Sequence, residues 1–250
     1  MTFLFKRNIT LMALMLMALA AVAQDNDKIL NRQYADMKKI HFGFSVGMNL
    51  QDLNITNNGF TTEDGEQWWS DVPAHSPGFC VNVLADWRLG KHLNLRVSPG
   101  MYFGNKVVQY RNALFNPEDP DVTETTRQRQ SQNIKSTYLV MPIDLKVSAL
   151  RHHNMRPYFT GGVMPVFDLG KKRSEQLRIG NADMLLTVGM GCDFYLPFFK
   201  LCPELKFCFG LRNLLDKNRD DLKDNPEMMR FTQSVDKIQN NMVVLTFYFE

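Results

Sequence analysis

Past its first two dozen residues the sequence has no long apolar run, which excludes a bundle of transmembrane helices, each needing about 20 such residues. It has no marked excess of either charge. Lys+Arg number 29 against 26 Asp+Glu, and Lys6 and Arg7 supply two of the three net positive units, so the electrostatic footprint of a nucleic-acid binder is missing. Cysteine is scarce. Cys80, Cys192, Cys202 and Cys208 are too few for a disulfide scaffold and match neither zinc-knuckle nor C-x-x-C spacing, so they read as small apolar strand residues, with one disulfide as the lesser outcome. No glycine-rich phosphate loop, low-complexity tract, linker or internal repeat is present, and a single domain is expected. What the chain does have is 44% hydrophobic and 11% aromatic residues spread among charges, the composition of a globule or a barrel and not of a disordered chain.

The N-terminus reads as a cleaved secretory signal, residues 1–23. Lys6 and Arg7 form a basic start, Ile9 to Leu19 an apolar core, and Ala21 and Ala23 an A-x-A site. The apolar stretch is shorter than the bilayer requires of an anchor. Residues 24–39 form a charged periplasmic lead-in, and residues 40–250 the domain itself.

From Ile40 onward, alternation with a period of two dominates. Phe42, Phe44, Val46, Met48 and Leu50 share one face, and His41, Gly43, Ser45, Gly47 and Asn49 the other. The pattern returns at 79–88, 93–101, 138–148, 184–194, 201–212 and 241–249. With a less regular segment at 157–167, whose phase the sequence leaves open, eight strands are predicted. Their connections alternate between long polar stretches (51–77, 105–132, 168–181, 213–239) and short turns (89–92, 149–156, 196–199). Long loops on one side, tight turns and both termini on the other, describe an all-β, eight-stranded antiparallel up-and-down transmembrane barrel.

The polarity of the two faces separates a membrane barrel from a soluble carrier, which needs an apolar lumen. Here glycine shares its face with charge. Asp86, Arg88, Arg96, Asp144, Lys146, Asp193, Glu204, Lys206 and Arg212 are expected to pair inside the lumen, while Phe44, Val83, Leu95, Ile143, Leu186, Phe207 and Leu245 face lipid. Phe42, Phe44, Trp87, Tyr158, Tyr195 and Phe247 lie near strand ends, where aromatic girdles belong. Pro99, Pro142, Pro165 and Pro203 interrupt predicted strands, and bulges or displaced ends are expected there. Glu250, and not an aromatic residue, ends the chain.

The segments HFGFSVGMN (41–49), SPGFCVNVLADWRLG (76–90), LNLRVSPGMYFG (93–104), TYLVMPIDLKVSA (137–149), RPYFTGGV (156–163) and LCPELKFCFGLRNLL (201–215) resemble the PorT-like outer-membrane barrels of Bacteroidetes. SPGFCVNVLADWRL and PELKFCFGLRNLL are the most specific of them. The resemblance implies an integral outer-membrane component of the type IX secretion system, with other secretion-system proteins as partners and no catalytic residues. A barrel filled by side chains is too narrow to pass a folded protein, so a partner or assembly role is expected and not the conduit. The alternative is a structural or adhesive barrel.

No enzyme site, metal site or cofactor is predicted, and no small-molecule substrate. His41, His92, His152 and His153 lack metal-ligand spacing, and the adjacent pair 152–153 should point apart in extended chain. His75 with Asp71 and Ser76 is a chance-grade triad in a polar loop. Lys171, Lys172 and Arg173 are expected to meet lipopolysaccharide phosphates or solvent. Trp68 and Trp69 are expected either to contact a partner or to fold over the barrel mouth.

Overall fold

A strand whose two faces differ in polarity can bury one of them only beside neighbours of the same pattern, and antiparallel pairing lets short turns join such neighbours. The computed structural model describes residues 31–61, 67–72, 76–112, 130–170, 180–215 and 234–250. After a single 3-10 turn (Ala35–Met37) come β1 (Ile40–Asn57), β2 (Trp68–Asp71), β3 (Pro77–Arg88), β4 (Leu93–Val97), β5 (Gly100–Asn112) and β6 (Gln130–Val140). There follow β7 (Ile143–Ser148), β8 (Met155–Asp168), β9 (Ala182–Tyr195), β10 (Lys200–Gly210) and β11 (Val235–Phe249).

All pairings are antiparallel, and they form a circuit. β1 lies between β3 and β11; β3 pairs with β4 and β5, β4 with β7, β5 with β6, and β8 with β6 and β7. From there β9, β10 and β11 lead back to β1. Closure is uneven. β1 and β11 share a long ladder from Phe44↔Phe249 to Asn57↔Val235, whereas β6 meets β8 only at Tyr138↔Asp168, Leu139↔Phe167 and Val140↔Val166.

Among the described residues the sheet has eleven strands and not the eight expected. Two of the added divisions fall where Pro99 parts β4 from β5 and Pro142 parts β6 from β7, since proline has no N–H for the ladder. Carbonyls of these prolines still serve their neighbours: Val83 N–H donates to Pro99 O at 2.9 Å and Ser98 N–H to Pro142 O at 3.1 Å. The third is β2, which pairs with β5 and is held to β1 by the Asn57 side chain, bonded to both the N–H and the C=O of Ser70 at 3.0 Å. Pro165 and Pro203 stay inside β8 and β10.

Along β1 the outward residues Ile40, Phe42, Phe44, Val46, Met48 and Leu50 are exposed and apolar; Phe42 is 73% exposed. The run from Ile40 to Leu50 rises about 25 Å at ordinary strand pitch and tilt, the height of the apolar band of such barrels. Above it the faces exchange character. Asp52, Asn54 and Thr56 point outward while Leu53 is buried, and on β11 Val243 is followed upward by outward Asn241, Gln239 and Lys237 with Ile238 buried. Leu53, Val108, Tyr110, Val235 and Ile238 form a cluster there, against which Ile55, Val72, Ile134 and Leu215 pack. The strands therefore leave lipid and continue into water, where burial favours apolar side chains inside. This extension makes strands of the residues beyond Leu50 and Gly104, which the alternation had assigned to loops.

Candidate functional site

The lumen is layered. At its periplasmic end, the end of the short turns and both strand termini, a charged network fills the bore. Arg96 on β4 is fully buried: Nε and Nη2 donate to Asp86 Oδ2 at 3.2 and 3.1 Å, Nη1 to Glu204 Oε2 at 3.1 Å, and Nη2 to Glu250 Oε1 at 3.1 Å. The Tyr248 and Tyr158 rings face its guanidinium at 4.6 and 5.4 Å, adding cation–π attraction in a dry setting. Lys206 bridges Asp144 at 2.5 Å and Glu204 at 3.1 Å. Lys146 reaches both Asp193 oxygens at 2.8 Å, and Lys200 ties Asp193, at 3.8 Å, to Glu250. Asn94 and Thr187 complete the bonding of Asp86 and Asp144 at 2.5 and 2.6 Å.

Next comes an apolar layer of Cys80, Tyr102, Tyr138, Val140, Met164, Val166, Leu185, Cys208, Met242 and Val244. Beyond it, buried Lys106 donates to the Tyr138 hydroxyl at 2.7 Å and to Asn240 Oδ1 at 2.9 Å, beneath the extracellular cluster. Such an interior is a plug. Each cation of this network is bonded to oxygen and each of its carboxylates to nitrogen, an arrangement that stiffens a barrel.

Seven of the nine charged residues expected in the lumen are therefore brought together there. Arg88 and Arg212 are not. Arg88 is the last residue of β3, and its Nε donates to Gly90 O in the turn at 3.1 Å; Arg212 lies past the end of β10 and is exposed. Tyr158 and Tyr195, expected in the girdles, instead point inward and are buried. Phe44, Val83, Leu95, Ile143, Leu186, Phe207 and Leu245 all lie on the outer face, with Phe44 stacked on Phe249 at 5.0 Å and Phe79 on Phe103 at 4.6 Å.

Sequence reasoning missed Lys200, Glu250 and Lys106. Lys200 and Glu250 keep the inward parity of Glu204 and Tyr248, so extending each strand by one residue would have found them. All four cysteines are free. The rings of His152 and His153 do not point apart: His153 adopts φ 51°, and the two meet edge to face at 4.6 Å. Among the described residues no group of three or more His, Cys, Asp or Glu is arranged to hold a metal ion. His75, Lys171, Lys172, Arg173 and the signal segment lie outside the described residues. Trp69 on β2 is 48% exposed and not folded into the mouth; of Trp68, in the same strand, only the backbone is described.

The lead-in, from Asn31 on, is strapped across the periplasmic ends of β8, β9 and β11. Asp36 Oδ1 accepts from the Tyr195 hydroxyl at 2.5 Å and from Arg156 Nη1 at 3.3 Å, and Asp36 Oδ2 lies 3.6 Å from Arg151. Arg151, 3.6 Å over the Tyr195 ring, also donates to the carbonyls of Asn31 and Arg32. Asn31 bonds to Asn154 and to Tyr195 O, and Arg32 donates to Glu250 O at 2.9 Å. With Asp36→Ala, trypsin cleavage after Arg32, Lys38 and Lys39 in detergent micelles should quicken by about tenfold, the loss of roughly one charge-assisted bond. Unchanged cleavage would mean that the backbone contacts hold the strap alone.

Among solved structures the chain is similar to Neisserial surface protein A (9% identity, covering 84% of this chain and 98% of that one, TM-score 0.41). It is similar also to OprG from Pseudomonas aeruginosa (13%, 84% and 92%, TM-score 0.42) and to Ail of Yersinia pestis in complex with the heparin analogue sucrose octasulfate (9%, 85% and 99%, TM-score 0.37). No curated protein matches. The outer membrane protein beta-barrel domain family matches residues 22–216, most of the chain, and with the lipid-facing band and the ladder that joins β11 to β1 this makes the protein a member of that family.

Proposed function

We propose that this outer-membrane barrel is not an enzyme and supports protein secretion as a partner or assembly factor of the type IX secretion system, not as its conduit. The filled lumen is the observation that carries this reading. Ion pairs and apolar layers occupy the bore from the periplasmic end to the extracellular cluster, so cargo must pass elsewhere and the barrel must act through its surfaces. The secretion assignment itself draws on the resemblance of segments 76–90 and 201–215 to PorT-like barrels. Export of the chain by a cleaved signal at 1–23 belongs to the same proposal, as do lipopolysaccharide contacts by Lys171, Lys172 and Arg173. Deleting the gene should strand folded cargo in the periplasm, assayed by fractionation, while His75→Ala should leave export intact.

Unchanged export after deletion would overturn the reading in favour of a structural or adhesive barrel. The observation that favours this second reading is the sheet extension into the medium, with Trp69 exposed on β2.

A further inference from the structure

Just below the lipid-facing band, one side of the periplasmic rim gathers cations. Lys38 and Lys39 are exposed and run directly into Ile40; Lys91 is exposed in the turn between β3 and β4; half-buried Arg88 ends β3. The backbone holds them together. Ile40 pairs with Trp87, Arg88 N–H donates to Lys39 O at 2.9 Å, and Arg156 Nη2 donates to Lys91 O at 2.8 Å. Among the described residues no ion pair joins Lys38, Lys39 or Lys91. Among the described residues the carboxylates at this end are committed elsewhere: Asp36 to Arg151, Arg156 and Tyr195, and Asp86, Asp144, Asp193, Glu204 and Glu250 to the lumen. Adjoining the cations stand Ile40, Phe42, Trp87, Leu89 and Leu93, all exposed and continuous with the lipid-facing surface.

We propose that this rim binds anionic phospholipid headgroups of the periplasmic leaflet, with Lys38, Lys39, Lys91 and Arg88 donating to phosphate oxygens. The inference rests on the barrel's place in the outer membrane and is independent of the secretion reading. Apolar side chains that adjoin acyl chains set the depth of the patch, and long lysine stems let the ammonium groups stay in the headgroup layer. An acidic protein would satisfy the charge but would leave the adjoining apolar ring in lipid, without a part in recognition.

Trp87, beside the patch, is the reporter. With Trp68→Phe and Trp69→Phe removing the other two tryptophans, the mature chain is placed in bilayers mixing phosphatidylglycerol with phosphatidylcholine, one or the other brominated on its acyl chains. Brominated phosphatidylglycerol should quench Trp87 as if enriched at least about fivefold over the bulk mixture, the equivalent of one lysine near a charged surface. The triple change K38Q, K39Q and K91Q should remove the enrichment while the barrel keeps the gel mobility of its folded form. Should that variant fail to fold, the unsubstituted chain decides, because enrichment must fall as salt rises to about 0.5 M. Equal quenching by the two lipids, or enrichment indifferent both to the substitutions and to salt, overturns the proposal; equal quenching is also the outcome expected if the patch serves an acidic protein.

Discussion

Arg96→Met should lower the stability of the folded barrel by about 3–5 kcal/mol, the ordinary consequence of removing one partner from a buried ionic cluster. Arg96 meets three carboxylates, Asp86, Glu204 and Glu250, so its loss strands more than one negative charge. Lys206 can still neutralise Glu204, and Lys200 can neutralise Glu250; Asp86 keeps the hydrogen bond from Asn94, with Lys146 and Lys200 acting on it only at longer range. The largest part of the loss should therefore trace to Asp86. Adding Asp86→Asn to Arg96→Met should recover a measurable part of it, because neighbouring groups of one network do not act additively. Urea unfolding in detergent micelles measures both. A loss under about 1 kcal/mol would mean that water reaches the cluster, since exposed ion pairs are worth no more than that.

Val83→Arg should weaken insertion by roughly 2–4 kcal/mol, because the outward face of β3 at mid-strand lies in hydrocarbon. Val83 is 63% exposed, pairs with Phe44, and has Val81 and Ala85 as its neighbours on the same face. Leu186→Arg on β9, paired with Val163 and Phe209, should behave alike. Glu204→Gln, a change inside the bore, should affect insertion less and rigidity more. Partitioning between urea and lipid vesicles gives the ordering. The reverse ordering would mean that the two faces are exchanged, as would a mature chain that stays monomeric and folded in buffer without detergent.

The band was legible because lipid and lumen impose opposite demands on alternate residues, and β1, β3, β9 and β11 display that contrast plainly. It faded where the contrast does. β8 points Tyr158, Thr160, Met164 and Val166 inward and Pro157, Gly161 and Pro165 outward, so neither face is uniformly polar. Above Leu50 and Phe103 the demand reverses as the strands enter water, and alternation read with one fixed sign ends there although β1 and β5 continue. Tyr158 and Tyr195 were misplaced because an aromatic near a strand end suits a girdle as well as a cation-lined bore; only their even or odd position along the strand separates the two. Asp36 gave no periodic signal, since its partners Arg151, Arg156 and Tyr195 lie more than a hundred residues away.

That separation gives the lead-in a place in the order of assembly. Its anchors are the turn before β8, the last residue of β9 and the end of the chain, which the pairings of β8 with β9, β9 with β10 and β10 with β11 set side by side; the lead-in, continuous with β1, comes to lie over them when β11 has zipped onto β1. Local contacts cannot fasten it earlier, because the closure entropy of so long a loop is offset only by the finished ring. The N-terminal strap is thus the last piece to settle, and its resistance to protease is a chronometer of completed closure.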